Sequence, residues 1–176
     1  MTDAEFALLS LLAEQPRHGY QIENVIEERG MREWTEIGFS SIYYLLKKLE
    51  KDGQVISSLA PPAGKGPSRR VYKLTQAGYA AWQEATLEAL SVPKGLASPF
   101  LMGLSNYPTV PPDQALTALR SYRQALAERQ ERILSRAGDQ QPLPPHIEAM
   151  FDYSRALLEA EIAWFDRFIH QVETQS

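Results

Sequence analysis

The segment Phe39 to Trp82 reads FSSIYYLLKKLEKDGQVISSLAPPAGKGPSRRVYKLTQAGYAAW. Ile42, Leu45, Leu46 and Leu49 recur at the i, i+3, i+4, i+7 spacing of one helix face. Ser40 or Ser41 can cap that helix, and Gly53 supplies its left-handed stop. Val55 to Leu59 and Arg70 to Leu74 are short runs rich in branched residues, as strands are. Pro61, Pro62, Gly64, Gly66 and Pro67 between them forbid a helix and predict a stiff loop. Thr75 then caps a further helix running to about Leu90. Helix, two-stranded hairpin with a stiff basic tip, helix: this is the anatomy of a winged helix.

Charge is sorted along the chain. The whole carries −4, which argues against a nucleic-acid partner. Yet residues 1–39 carry −5, residues 40–82 carry +5 and residues 83–176 carry −4. Phosphate neutralisation needs a local patch and not a global excess. Ser40, Tyr44, Lys47, Lys48 and Lys51 fall on or near the helix face opposite the apolar stripe, with Tyr43 at the border. A helix with one core face and one hydroxyl-and-ammonium face suits a major groove.

Upstream, Thr2 and Glu5 form the Thr-x-x-Glu capping pattern before Phe6, Leu8, Leu9, Leu11 and Leu12. Pro16 closes that helix, and His18-Gly19-Tyr20 leads into a second, with Ile22, Val25 and Ile26 buried and Gly30 as its stop. Two helices joined so tightly cross at a steep angle. Residues 1–90 therefore read as a winged-helix DNA-binding domain. Residues 91–112, rich in proline and glycine, read as a linker with a short helix at Phe100 to Leu104.

Residues 113–176 read as a helical, coiled-coil-like dimerisation domain. Leu119, Leu126 and Ile133 recur every seven residues, although Arg123 and Gln130 interrupt the second seam. The last helix, from about Pro145 to Val172, carries Phe151, Leu158, Trp164, Phe165 and Phe168 on a stripe too wide for one neighbour. A second copy of the chain is the economical second partner, making these the expected dimerisation residues.

The chain holds no cysteine, so it offers no disulfide, no thiolate nucleophile and no cysteine-ligated zinc. His18, His146 and His170 lie far apart, and no His-Glu-x-x-His or Gly-x-Ser-x-Gly motif occurs. Gly64-Lys65-Gly66 lacks the spacing of a phosphate loop, and Asp166 with His170 suits a surface pair better than catalysis. No enzyme, metal or cofactor is expected. No apolar run approaches the ~20 residues of a membrane span, and the acidic N-terminus does not look like a signal peptide. The expectation is a soluble, cytoplasmic protein.

Three stretches carry a family resemblance: LLSLLAEQPRHGYQI (Leu8 to Ile22), SSIYYLLKKLEKDG (Ser40 to Gly53) and GPSRRVYKLTQAGYAAW (Gly66 to Trp82). Together they resemble PadR-type transcriptional regulators. The second half is similar to the long form of that family, which includes virulence-gene activators and ends in a Glu-x-x-Trp-like segment, here Glu161 to Trp164. The resemblance implies a mainly helical homodimer with one winged helix per subunit, bound to a palindromic operator. It also implies repression relieved by a small molecule or metabolic signal. Tyr44 stands where the family often has proline, and the wing is longer than usual, so the operator sequence stays open.

On this reading Ser40, Ser41 and Tyr44 point toward base edges, and Tyr43 and Lys47 touch phosphate or bases. Lys48 and Lys51 hold phosphate, while Lys65, Arg69 and Arg70 reach the backbone or the adjacent minor groove. Tyr20 either bonds phosphate or packs against the third helix. Phe100, Met102, Tyr107, Trp164 and Phe168 are the candidate site for a small aromatic effector, or else hinge packing and dimer core. Two alternatives stay open: a winged-helix protein–protein adaptor, and an effector-independent activator of the same family.

Overall fold

The computed structural model describes all residues except 36, 39–40, 61–68, 94, 96–97, 140–141 and 176. The chain forms two compact units, Met1–Gly95 and Leu96–Ser176.

In the first unit α1 (Asp3–Glu14) opens on a complete capping box. The Glu5 amide donates to Thr2 Oγ1 at 3.2 Å and the Thr2 amide donates to Glu5 Oε2 at 2.8 Å, so two orphan donors are satisfied. At the other end of α1 the Arg17 guanidinium, 7% exposed, donates to the Leu11 carbonyl at 3.1 Å and to Glu14 at 2.6 Å. Arg17 thereby supplies a donor to a carbonyl in the last turn of α1, where intrahelical partners run out.

Strand β1 (Arg17–His18) leads directly into α2 (Gly19–Glu28), which ends at left-handed Gly30 before a single 3-10 turn over Met31–Glu33. Helix α3 (Ile42–Lys51) follows, then β2 (Val55–Ala60), β3 (Arg69–Leu74) and α4 (Gln76–Ser91). The sheet is antiparallel in the order β1-β3-β2. Val55 pairs with Leu74 and Ala60 with Arg69, while Arg17 pairs with Tyr72 and His18 with Val71. The expected two-stranded wing thus gains a third strand. Two residues are too few to show the alternation by which a strand is read from sequence.

Two close approaches set the angles between these elements. Thr75 Oγ1 accepts the Gly78 amide at 3.0 Å and donates to the Gly53 carbonyl at 2.7 Å, docking the start of α4 on the turn after α3. A Cβ on Gly78 would stand 1.8 Å from the Gln54 carbonyl oxygen, so no other residue fits there unless the backbone shifts. The core of the unit comes from α1 (Leu8, Leu9, Leu11, Leu12), α2 (Ile22, Ile26), α3 (Ile42, Leu46, Leu49) and β2 (Val55). Trp82 of α4 packs against it, with its indole N–H 3.3 Å from Ser10 Oγ.

The second unit contains α5 (Pro99–Asn106), a 3-10 turn (Tyr107–Thr109), α6 (Pro112–Asp139) and α7 (Pro145–Gln175). Ser98 caps α5, accepting the Leu101 amide, with Pro99 in the first turn. Helices α6 and α7 are antiparallel. Arg120 pairs with Glu173 at 2.5 Å near one end, and Arg123 grips Asp166 through two hydrogen bonds of 2.8 and 3.2 Å further along. Asp166 is therefore spent on Arg123 across the helix pair, and not on His170 one turn away on its own helix. Leu119 and Leu126 of α6 bury against Leu158, Phe165 and Val172 of α7.

The seven-residue repeat finds a partner helix within the chain. Leu119, Leu126, Leu158 and Phe165 are all 8% exposed or less within one chain, and Ile133, Trp164 and Phe168 pack on the same cluster. The seam that the repeat marks is filled by the chain's own neighbouring helix. Phe151 is half-buried and outside that cluster. Met150, Tyr153 and Leu157 of α7 stay exposed, by 42%, 67% and 53%. Among the described residues no helix is long and apolar enough to cross a membrane.

Candidate nucleic-acid interface

Helix α3 sorts its side chains by face. Ile42, Leu45, Leu46 and Leu49 are buried, while Tyr43 (51%), Tyr44 (68%), Lys47, Lys48 and Lys51 are exposed. Tyr43 is thus a surface residue, although its position on the helix places it at the border of the core stripe. Ser41 does not cap α3. Its hydroxyl donates to the Gly38 carbonyl at 2.7 Å, which ties it to the incoming loop. Ser40 and Lys65, and the tip of the wing with them, lie outside the described residues.

The base of the wing is assembled beside α3. Arg69 lies over the ring of Tyr20, 4.7 Å from its centroid, and the other stacking partner of Tyr20 is His18 at 5.5 Å and 16°. The Nδ1 of His18 is 2.9 Å from the Arg70 carbonyl oxygen, which only accepts, so Nδ1 is the donor there. Gly19 opens α2 directly beneath Tyr43. A Cβ at residue 19 would stand 2.5 Å from Tyr43 Cε1, so glycine is what lets that ring lie on the helix start.

His18, Gly19, Tyr20, Tyr43, Arg69, Arg70 and Tyr72 together line one open cleft. The partial positive charge of the α2 N-terminus, two guanidinium groups and tyrosine hydroxyls converge there, a set suited to an anion.

Two further residues, not singled out by the sequence, hold this surface in place. Glu50 of α3 accepts the Ser57 amide at 3.1 Å and the Ser57 hydroxyl at 2.6 Å. Arg70 donates to that same hydroxyl at 2.9 Å. Helix, wing and β1 are linked through Glu50, Ser57, Arg70 and His18. An acidic residue in a basic stretch is the one available sequence signal, and its role is invisible without the strand pairing. Lys48 is also committed: its ammonium pairs with the Glu5 carboxylate of α1.

The second unit gathers rings. Phe100 contacts Tyr122, Trp164 and Phe165 with centroids 4.9 to 5.6 Å apart. Trp164 stacks on Phe168 at 4.9 Å, and Tyr107 meets Phe168 edge-on at 5.5 Å. Four of the five effector candidates are therefore contiguous, whereas Met102 is 68% exposed and outside the cluster. Tyr122, stacked on Phe165 at 4.7 Å, belongs to the cluster and was missed because it lies off the seven-residue seam. Burial raises the pKa of its phenol.

Residues 8–84 match the model of the transcriptional regulator PadR-like family. They form a PadR-like domain. The fold of the whole chain is similar to that of the Vibrio cholerae virulence activator AphA, with a TM-score of 0.77 and 15% identity over 98% of this chain and 99% of that one. It is similar also to Bacillus subtilis PadR in complex with operator DNA, with a TM-score of 0.75 and 15% identity over 96% and 98%. The same Bacillus subtilis protein in complex with p-coumaric acid gives a TM-score of 0.74 and 16% identity over 96% and 98%. No curated protein sequence matches the chain. Among the described residues no group of three or more acidic or histidine side chains could hold a metal ion.

Proposed function

We propose that the chain is a homodimeric, sequence-specific regulator of transcription, a repressor that a small aromatic molecule or metabolic signal releases from a palindromic operator. The observation that carries the reading is the face of α3. Tyr44, Tyr43, Lys47 and Lys51 are exposed on a helix whose other side is buried, beside a cleft lined by Arg69, Arg70 and Tyr20. In this reading the first turn of α3 meets base edges, Lys47 and Lys51 meet phosphate, and the wing arginines follow the backbone into the adjacent minor groove. Stacked between His18 and Arg69, Tyr20 is rigid enough to offer its hydroxyl to a phosphate.

The second chain meets the apolar face that α6 leaves uncovered, through Met150, Tyr153 and Leu157 spaced as one helix face. Phe100, Tyr107, Trp164 and Phe168 form the effector wall. A planar aromatic ligand gains there by stacking. Bacillus subtilis PadR, solved with operator DNA and with p-coumaric acid, supplies the analogy for both ligands.

Selection of bound sequences from randomised duplex DNA at about 150 mM salt tests the proposal, since phosphate contacts alone lose affinity steeply with salt. A two-fold symmetric consensus is expected. Failure to enrich any motif from folded, dimeric protein would move this basic face to a protein partner.

A further inference from the structure

Three lysines line the outer side of α3, and one of them is answered from behind. Lys48 Nζ reaches Oε1 of Glu5, whose side chain is 7% exposed, while the other oxygen of that carboxylate accepts the Thr2 amide at 2.8 Å. Glu5 is therefore a nearly buried carboxylate with two jobs: it closes the N-terminal box of α1, and it faces the helix that α1 packs against. Burial pushes the Glu5 carboxyl up, but the hydrogen bonds from Lys48 and Thr2 outweigh it, and the group stays below its ordinary value. Among the described residues no carboxylate forms a salt bridge with Lys47 or Lys51, and both stand exposed on the same helix. A buried carboxylate left without its cation is costly, much more so than an exposed lysine left without a phosphate.

We propose that Lys48 is a positioning residue of the DNA-binding helix and not a phosphate contact: paired with Glu5, it locks α3 onto the N-terminus of α1 and sets how the helix is presented to the duplex. The inference rests on the DNA-binding reading above. It sorts the three lysines by work. Lys47 and Lys51 neutralise phosphate, whereas Lys48 neutralises the protein's own carboxylate. It also gives the capping box of α1 a second use, because the residue that starts the first helix orients the third.

The test is binding of the full-length protein to a mixed-sequence 40-base-pair duplex, with affinity measured across a salt series, and thermal melts of each protein in parallel. Lys47→Met removes a phosphate contact, so the slope of log K against log salt becomes shallower by about 0.9. Lys48→Met weakens binding several-fold with the wild-type slope unchanged. Lys48→Arg, which keeps the cation, restores affinity. The deciding variant is Glu5→Gln combined with Lys48→Met. Gln still serves the capping box and leaves no buried charge, so the double variant binds better than Lys48→Met alone. A slope shallower by about one in Lys48→Met, unrelieved by Glu5→Gln, overturns the proposal, since a lost phosphate contact cannot be repaired from α1. Absence of binding by the wild-type protein overturns the DNA reading and the positioning role with it. In that case coupling between the two substitutions in the melts shows that the pair itself exists, and additivity shows that it does not.

Discussion

The carbonyl oxygen of Gln54 occupies the space that a side chain on residue 78 would need, 1.8 Å from an ideal Cβ. The contact joins the turn after α3 to the first turn of α4, where Thr75 also bonds the Gly53 carbonyl. Backbone meets backbone here, so no side chain can rotate away. Gly78→Ala is expected to destabilise the protein by about 2 kcal/mol or more, in the range of overpacked cores. Chemical denaturation followed by circular dichroism measures it.

Gly19 poses the opposite case. The atom in the way of a Cβ is Tyr43 Cε1, the far side of a ring that is half exposed. Gly19→Ala should cost little stability, because the ring can swing outward. It should weaken DNA binding several-fold by moving Tyr43 off the start of α2. A melt within a degree or two of wild type, together with a reduced affinity by fluorescence anisotropy, is the expected pair of results.

Arg69 has a wing role that charge alone reports. Arg69→Ala removes both a cation and its contact over Tyr20. Binding should fall for every DNA sequence alike, and the salt slope should become shallower by about 0.9. An unchanged slope would assign Arg69 to packing against Tyr20 and take it off the DNA.

Glu14 makes stability depend on acid. Its carboxylate holds Arg29 and Arg17, and those bonds keep its pKa below the ordinary value of 4.5. A lowered folded-state pKa contributes stability that is complete above the unfolded value and is lost as pH falls through the folded one. The free energy of unfolding should be flat above about pH 5.5 on this account and decline below 4.5. Glu14→Gln should flatten that decline. The carboxylate is partly solvated, so the change is small, and titration of the Glu14 side chain by NMR is its most direct check.

Phe165 is fully buried between α6 and α7, against Phe100 and Tyr122. Phe165→Ala should cost about 3–5 kcal/mol, the range for emptying such a site. Because the residue packs within one chain, the loss should persist at protein concentrations that saturate dimerisation. A loss that disappears at high concentration would return Phe165 to a subunit interface.

The winged helix was legible because each of its elements carries a local signal. The stripe Ile42, Leu45, Leu46, Leu49 can only be one helix face, and left-handed Gly53 (φ 72°) ends that helix before β2. The exposed hydroxyl-and-ammonium face follows from the same periodicity, since what is not turned inward is turned out. The seven-residue repeat at Leu119, Leu126 and Ile133 was legible as a demand for a partner helix and illegible as to which one. A repeat specifies the face to be covered. In the fold, α7 of the same chain covers that face.

The sequence by itself determined the order of the elements, the basic segment inside an acidic chain, and the residues that α3 turns outward, because periodicity and charge are properties of neighbours along the chain. Tertiary structure alone decided that Lys48 answers Glu5 across 43 residues, that Glu50 holds the wing through Ser57, and that two residues before α2 join the sheet. Each of these joins groups remote in sequence. Whether a lysine faces water, a phosphate or a buried carboxylate depends on what the fold brings to it, and burial is what makes the pairing matter.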